Sequence, residues 1–552
     1  MKLLIILPFL ALASSSCPGL RVETPLGGVI GSYKISHYGR KYKAFEGIPY
    51  AQPPLGKLRF QPPKPVQKWT QDLPATKKGS ECTQYHMLQK NGDKVSGCED
   101  CLYLNIYVPP RNNEEMLLPV MLWIHDGAFQ YGSGNNVNER FLMDRDVVLV
   151  AINYRLGPFG FLSTGDRVVP GNMGLKDQTV ALRFVSNNIK YFGGDPESVT
   201  IFGLNAGAAS VQYHYLSPLS AGLFQRGLSI SGVALDPWPQ TERAPEKAKK
   251  LGALMGCPTK NSTKMVSCLR ERPPRLIAQA VHDFMAWLYN PITPFGPVIE
   301  KQKCPRPFIR DSPIEIINRG EALDVPWISG VVAEEGLYTA AEFVDNRKLL
   351  KELNDDWDKI APSLLDFNDT VSLSQQKNVS EMARKHYLGS KSINSVTDKH
   401  VVQMIGDRLF KVDFEKAVRL QAKINRSPVW TYYYTYRAKY SQSDALSGST
   451  KDFGVCQGDD VALILGTKMS STTRALDVHM QQFLLDFYTS YAIHGEPKIS
   501  SVTWKKLDPD EKKFYYLHIK NPKDAKMASA NNFAEKKFWE SINFNENKLP
   551  KS

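Results

Sequence analysis

An α/β fold built on a large, mostly parallel central sheet with helices on both faces is what this sequence predicts, and three observations predict it. Short, wholly apolar runs of strand length recur along the chain; an amphipathic stretch of helix length separates two of them; and this alternation continues over several hundred residues. A sheet of that kind carries its site at the carboxyl ends of its strands.

The elements follow in order. Residues 120–124 and 147–152 are apolar without alternation, the pattern of strands covered on both faces. Residues 175–191 place apolar side chains at helical spacing ahead of a strand beginning at Val199. A helix is expected over 206–216, and further strands over 228–231, 326–332 and 429–436. With 552 residues and 42% hydrophobic composition the chain can bury a large core. No Gly/Ser-rich or Pro-rich linker divides it, so residues 17–552 are expected to form one domain.

The first 16 residues read as a secretory signal peptide: a basic start at Lys2, an apolar stretch from Leu3, and small residues from Ala11 to Ser16. The apolar stretch is shorter than the roughly 20 residues of a membrane span. Residues 538–552 are polar and charged, unlike a lipid-anchor signal. A secreted, extracellular protein with no membrane span is the expectation. Cys82 and Cys101 bracket one short loop and Cys257 and Cys268 another, which suits an oxidising compartment, although spacing alone leaves the pairing open. Acceptor sequons at Asn261, Asn368, Asn378 and Asn425 fit a glycoprotein; Asn425, followed by Arg-Ser-Pro, is the weakest of them. The net charge of +13 is spread along the chain, giving a basic surface suited to acidic partners, and no nucleic-acid motif accompanies it. Neither a metal-ligand spacing nor a phosphate-binding glycine loop is present, so no metal and no cofactor are expected.

The most informative segment is 199–207. A strand runs into Gly203-Leu204-Asn205-Ala206-Gly207, the Gly-x-nucleophile-x-Gly layout of a serine hydrolase's nucleophile elbow, with Asn205 where the serine would stand. An amide has no ionisable hydrogen near neutral pH and only a weakly nucleophilic oxygen, so it offers hydrogen bonds there and no ordinary acyl-enzyme.

Several further motifs identify the chain as similar to the type-B carboxylesterase and cholinesterase family. They are Ala44-Phe45-Glu46-Gly47-Ile48-Pro49-Tyr50-Ala51, Glu99-Asp100-Cys101-Leu102-Tyr103-Leu104-Asn105-Ile106-Tyr107, Asn153-Tyr154-Arg155-Leu156-Gly157, Gly171-Asn172-Met173-Gly174-Leu175-Lys176-Asp177-Gln178 and Phe192-Gly193-Gly194-Asp195-Pro196. The segment Ala234-Leu235-Asp236-Pro237-Trp238 most resembles secreted insect β-esterases and juvenile-hormone-esterase-like proteins. The resemblance implies an α/β-hydrolase fold and disulfides pairing Cys82 with Cys101 and Cys257 with Cys268.

It also implies a Ser-Glu-His triad, in which serine attacks, histidine moves the proton and the acid orients the histidine. The acid position matches Glu335, in Ala333-Glu334-Glu335-Gly336. The histidine position, immediately before Gly458-Asp459, is Gln457, which cannot serve as a base near neutral pH. The family's His-Gly-Gly-x-Phe loop corresponds to His125-Asp126-Gly127-Ala128-Phe129. The backbone N–H groups of Gly127 and Ala128, with that of Ala206, therefore match the oxyanion hole, while Asp126 replaces a glycine. That carboxylate either opposes an oxyanion or points to solvent. Ser210 and His214, on the helix after the elbow, are not at its tip.

The expectation is a carboxylesterase-like protein without catalysis, which acts by binding a hydrophobic small molecule or ester, or an extracellular protein partner. The competing expectation is a carboxylic ester hydrolase of weak or unconventional activity, favoured by the retained Glu335 and oxyanion-hole loop.

Overall fold

The computed structural model describes residues 20–111, 113–300, 304–466, 474–499, 502–546 and 548. The expected signal peptide and Cys17 lie outside the described residues.

Alternate side chains of the apolar runs enter two different cores, which is why those runs show no polar alternation. On one strand Val120, Leu122 and Ile124 join the first core while Met121 and Trp123 join the second. The first core is closed by the helix Met173–Phe192, through Leu175, Leu182, Val185 and Ile189, and by the helix Ala206–Tyr215. The second is closed by the helix Ala475–His494, through Met480, Leu484, Phe487 and Tyr491.

In chain order the strands are β1 (Leu20–Thr24), β2 (Gly27–Ile35), β3 (Lys41–Pro49), β4 (Leu73–Pro74), β5 (Gln84–Tyr85), β6 (Val95–Ser96), β7 (Tyr103–Val108), β8 (Leu118–Ile124), β9 (Val148–Ile152), β10 (Gly194–Leu204), β11 (Arg226–Ile230), β12 (Trp327–Val332), β13 (Val429–Tyr434), β14 (Phe514–Asn521) and β15 (Asp524–Ala530). Among the described residues the main sheet has 13 strands in the order β1-β2-β3-β7-β9-β8-β10-β11-β12-β13-β14-β15, with β4 on β2; β5 and β6 pair separately. From β9 through β14 every neighbouring pair is parallel. Both edges are antiparallel.

Register aligns the strand ends that matter. Gly203 pairs with Ile124, Leu204 with Ile230, and Ile230 with Gly330. The loops that leave β8, β10, β11 and β12 therefore meet at one place.

Cys82–Cys101 and Cys257–Cys268 are disulfide-bonded, as the family resemblance implied. Cys98, Cys304 and Cys456 are free thiols. A buried ion pair ties the first long helix to the loop after β9: Arg155 donates from Nε and Nη2 to Asp177 at 2.7 Å each, and from its backbone N at 3.1 Å. Breaking such a pair from one side strands a charge in the interior. Asp177→Ala is expected to cost about 3–5 kcal/mol, whereas Asp311→Ala, which removes the half-exposed partner of Arg319, stays within about 1 kcal/mol. Urea denaturation of both variants beside the parent chain measures the contrast.

Candidate functional site

The turn after β10 is possible only because two glycines remove side-chain bulk. A Cβ on Gly203 would lie 2.5 Å from the carbonyl carbon of Gly207 and 2.6 Å from the carbonyl oxygen of Ile124, and one on Gly207 would lie 2.0 Å from that same oxygen. Between them Asn205 adopts φ 54°, ψ −114°, a strained backbone for a residue with a side chain. The turn is fastened by Asn205 N–H donating to Ile230 O at 3.0 Å and by Ala209 N–H donating to Asn205 O at 2.9 Å. Asn205 itself has no exposed surface.

Its side chain is held from both ends. Ala128 N–H donates to Asn205 Oδ1 at 2.9 Å, and Asn205 Nδ2 donates to Gln457 Oε1 at 2.8 Å. Gln457 Nε2 then donates to Glu335 Oε2 at 2.9 Å, and Glu335 Oε1 accepts the Val332 N–H at 2.8 Å. The direction of this relay follows from its termini. A backbone N–H at one end can only donate and a carboxylate at the other can only accept, so both amides must present oxygen toward Ala128 and nitrogen toward Glu335. Reversing either amide would set donor against donor or acceptor against acceptor.

Burial pushes the Glu335 carboxyl up to about 7, against opposing hydrogen bonds from Val332 and Gln457. Ser231 had no signal in the sequence. It follows β11 at φ 55°, and its carbonyl also receives Gln457 Nε2 at 3.4 Å. Glu334 was likewise unforeseen: its Oε2 accepts the Val455 N–H at 2.6 Å and its own N–H donates to Val455 O at 3.0 Å, so it latches the segment leading to Gln457.

The loop after β8 brings Gly127 and Ala128 to the elbow, with Gly127 at φ 105° and Ala128 and Phe129 also at positive φ. Gly127 has no room for a Cβ, which would fall 1.9 Å from Tyr131 O. Ala206, the third N–H named from sequence, opens the helix behind Asn205 and is fully buried. Asp126 is half-buried rather than directed into solvent; its carboxyl is pushed up by burial, and its charge bears on Tyr131, Tyr154 and Tyr338.

Among the described residues, the nearby histidines, serine and thiol are engaged elsewhere. His125 stacks on Tyr154 at 4.3 Å, and burial lowers its imidazole to about 4. Ser210 and His214 are both tied to Gln178, at 3.1 and 2.9 Å, inside the first core rather than at the turn. Cys456 adjoins Gln457, but burial pushes its thiol well above the ordinary range and leaves it protonated.

Comparison with known proteins places this geometry in a lineage. The carboxylesterase family model matches residues 18–539. A carboxylic ester hydrolase of Bombus ignitus is 62% identical over 532 residues, covering 96% of this chain and 95% of that one. Venom carboxylesterase-6 of Apis mellifera is also 62% identical, with 96% and 95% covered. The juvenile hormone esterase of Tribolium castaneum is 37% identical over 92% of this chain and 88% of its own. Among solved structures, the juvenile hormone esterase of Manduca sexta with OTFP covalently attached superposes with a TM-score of 0.82 at 24% identity, over 95% of this chain and 99% of that one. The α/β-hydrolase fold is shared.

Two measurements test the relay. Because Glu335 is raised from the ordinary 4.5 to about 7 in the folded chain, the folded state holds more protons than the unfolded state between those values. Its contribution to stability is complete below pH 4.5 and is lost as pH rises through 7, a change of about 3 kcal/mol. Glu335→Gln is expected to flatten that part of the stability-versus-pH curve, read by chemical denaturation at several pH values. Asn205→Asp keeps the shape but removes the donor facing Gln457, and is expected to cost about 1–3 kcal/mol at pH 8. The loss shrinks as acidification protonates the new carboxyl, which can then donate.

Proposed function

The chain belongs to the carboxylesterase family, and we propose that within it this is a secreted member that does not turn over esters but binds, taking a hydrophobic or ester ligand or an extracellular protein partner. One observation carries the reading: Asn205 Oδ1 holds the Ala128 N–H at 2.9 Å, in the place an acyl oxygen would need. The nucleophile position thus lacks a nucleophile and also blocks the oxyanion hole beside it. Gln457 supplies no base, since its nitrogen is spent on Glu335 and its oxygen on Asn205. A triad-deleted hydrolase keeps only roughly 10³–10⁴ over water from its oxyanion hole and binding, and here part of that hole is filled.

The reading of weak or unconventional hydrolysis is favoured by one observation, the buried Glu335 still aimed at the base position. It requires a nucleophile, which neither Ser210 nor Cys456 supplies.

Secretion is supported by the two closed disulfides and by the exposed sequons at Asn261 and Asn378. Among the described residues no helix is long and apolar enough to cross a membrane. Asn425 is half-buried and its Nδ2, the atom a glycan would take, donates to Leu323 O at 3.0 Å, whereas the exposed Asn378 Nδ2 makes only a long contact to Met382 Sδ at 3.6 Å. Asn368 is half-buried with its Oδ1 enclosed.

Hydrolysis of a short-chain aryl ester should be silent for the native protein and measurable for Asn205→Ser/Gln457→His, and an organophosphate should label only that double variant. Covalent labelling of the native protein would overturn the reading. Glycopeptide mapping of the secreted protein is expected to find glycans at Asn261 and Asn378 and none at Asn425.

A further inference from the structure

Three cysteines meet in the segment ahead of β7, and one disulfide is shared among them. Cys82 and Cys101 are joined and both are buried, while Cys98 remains a thiol. Of the three free thiols among the described residues, Cys98 alone is exposed.

Backbone geometry sets this thiol against the disulfide. Cys82 and Cys98 are partners in a parallel β-bridge: Cys98 N–H donates to Glu81 O at 3.0 Å, and Thr83 N–H donates to Cys98 O at 3.0 Å. Residues paired across neighbouring strands sit about 4.7–4.9 Å apart, inside the roughly 4.4–6.8 Å between Cα atoms that a disulfide spans. The two strands come this close because Gly97, at φ 78°, has no side chain; a Cβ there would fall 2.3 Å from Cys82 O. The Cys98 sulfur is turned along its own chain toward Cys101. Its Sγ lies 3.1 Å from Asp100 O, the carbonyl of the peptide bond that enters Cys101. Glu99, between the two cysteines, is gripped by the buried Arg59 at 2.6 and 2.5 Å, which holds this turn in place.

We propose that Cys98 is the exchanging thiol of a three-cysteine site, in which its thiolate attacks Cys82 Sγ and displaces Cys101. The bond between Cys82 and Cys101 breaks as the bond between Cys82 and Cys98 forms. Cys98 gives its proton to solvent and the departing Cys101 thiolate takes one up. The number of disulfides is unchanged, so the step consumes neither oxidant nor reductant. One bonded form leaves the exposed Cys98 as the thiol; the other leaves the buried Cys101. Because burial in apolar surroundings keeps a thiol protonated and inert, the exchange moves the thiol of this segment between a reactive and a protected place. The bond at Cys82 also bears on the elbow. Gln84, two residues on, accepts the Gly132 N–H at 2.7 Å and donates to Gly132 O at 3.2 Å, and so holds the loop that carries Gly127 and Ala128.

The test is disulfide mapping of the full chain, purified without reductant and held at pH 8. Acid arrests exchange by protonating thiolates, after which the chain is unfolded in acidic guanidinium chloride, its thiols are capped with N-ethylmaleimide, and unreduced peptides are identified by mass spectrometry. Capped Cys101, in chains whose Cys82 is bonded to Cys98, is expected at about one chain in a hundred or more. Cys98→Ser, a change at an exposed position, should abolish capping of Cys101 and leave the melting temperature unchanged. Cys101→Ser should be recovered with Cys82 bonded to Cys98 in place of the native pair. Capping confined to Cys98, capping of Cys82 with Cys98 bonded to Cys101, a disulfide from Cys98 to Cys17 or to a second chain, or a Cys101→Ser chain in which Cys82 and Cys98 both stay thiols would each overturn the proposal.

Discussion

The approach of Gly203 and Gly207 to the carbonyl of Ile124 is the constraint on which the site rests. Two neighbouring parallel strands, β8 and β10, end in register, and the chain leaving β10 must turn at once into a helix within van der Waals reach of the end of β8. No side chain fits at either glycine, so the turn has one solution, and that solution forces Asn205 into a conformation that throws its side chain forward. The same closeness sets the loop from His125 to Phe129 beside the turn. Ala128 N–H then lies within hydrogen-bond distance of Asn205 as a consequence of backbone geometry alone.

Given that geometry, the two amides form a consistent pair. Gln457 donates to Glu335 as an imidazole N–H would and accepts from the elbow residue as the other imidazole nitrogen would, while Asn205 donates as a serine hydroxyl would. The hydrogen-bond direction of a Ser-His-acid arrangement survives intact. What is gone is the capacity to move a proton, because neither amide gains or loses one near neutral pH. The additional acceptor on Asn205 also satisfies Ala128, so the buried polar groups along this line are paired end to end, as a dry interior demands.

Glu334 and Glu335 divide the end of β12 between two environments. Glu335 turns inward to the relay and is raised by burial; Glu334 turns to the wall of a separate open cavity and anchors Val455. Two adjacent carboxylates thereby serve a closed polar line and the wall of an open cavity lined by charges of both signs, with one peptide bond between them.

The parallel core was legible in the sequence because its strands, covered on both faces, carry unbroken apolar runs: 120–124, 147–152 and 326–332 lie within two residues of β8, β9 and β12. The antiparallel edges were not. The outer end of β2 and the hairpin of β14 and β15 mix exposed with half-buried residues, β15 having none fully buried, a weak local signal whose pairing depends on distant partners. The sequence alone determined the elbow's glycines, the two amides and the acid, because residue type decides what chemistry is available at a position. Only the tertiary structure decided that Asn205 and Gln457, 252 residues apart, touch, that Ala128 closes the line, that Ser231 and Glu334 support it, and that Asp126 is half-buried. Hydrogen bonds have direction and short reach, and no spacing along a chain specifies which donor arrives within 3 Å of which acceptor.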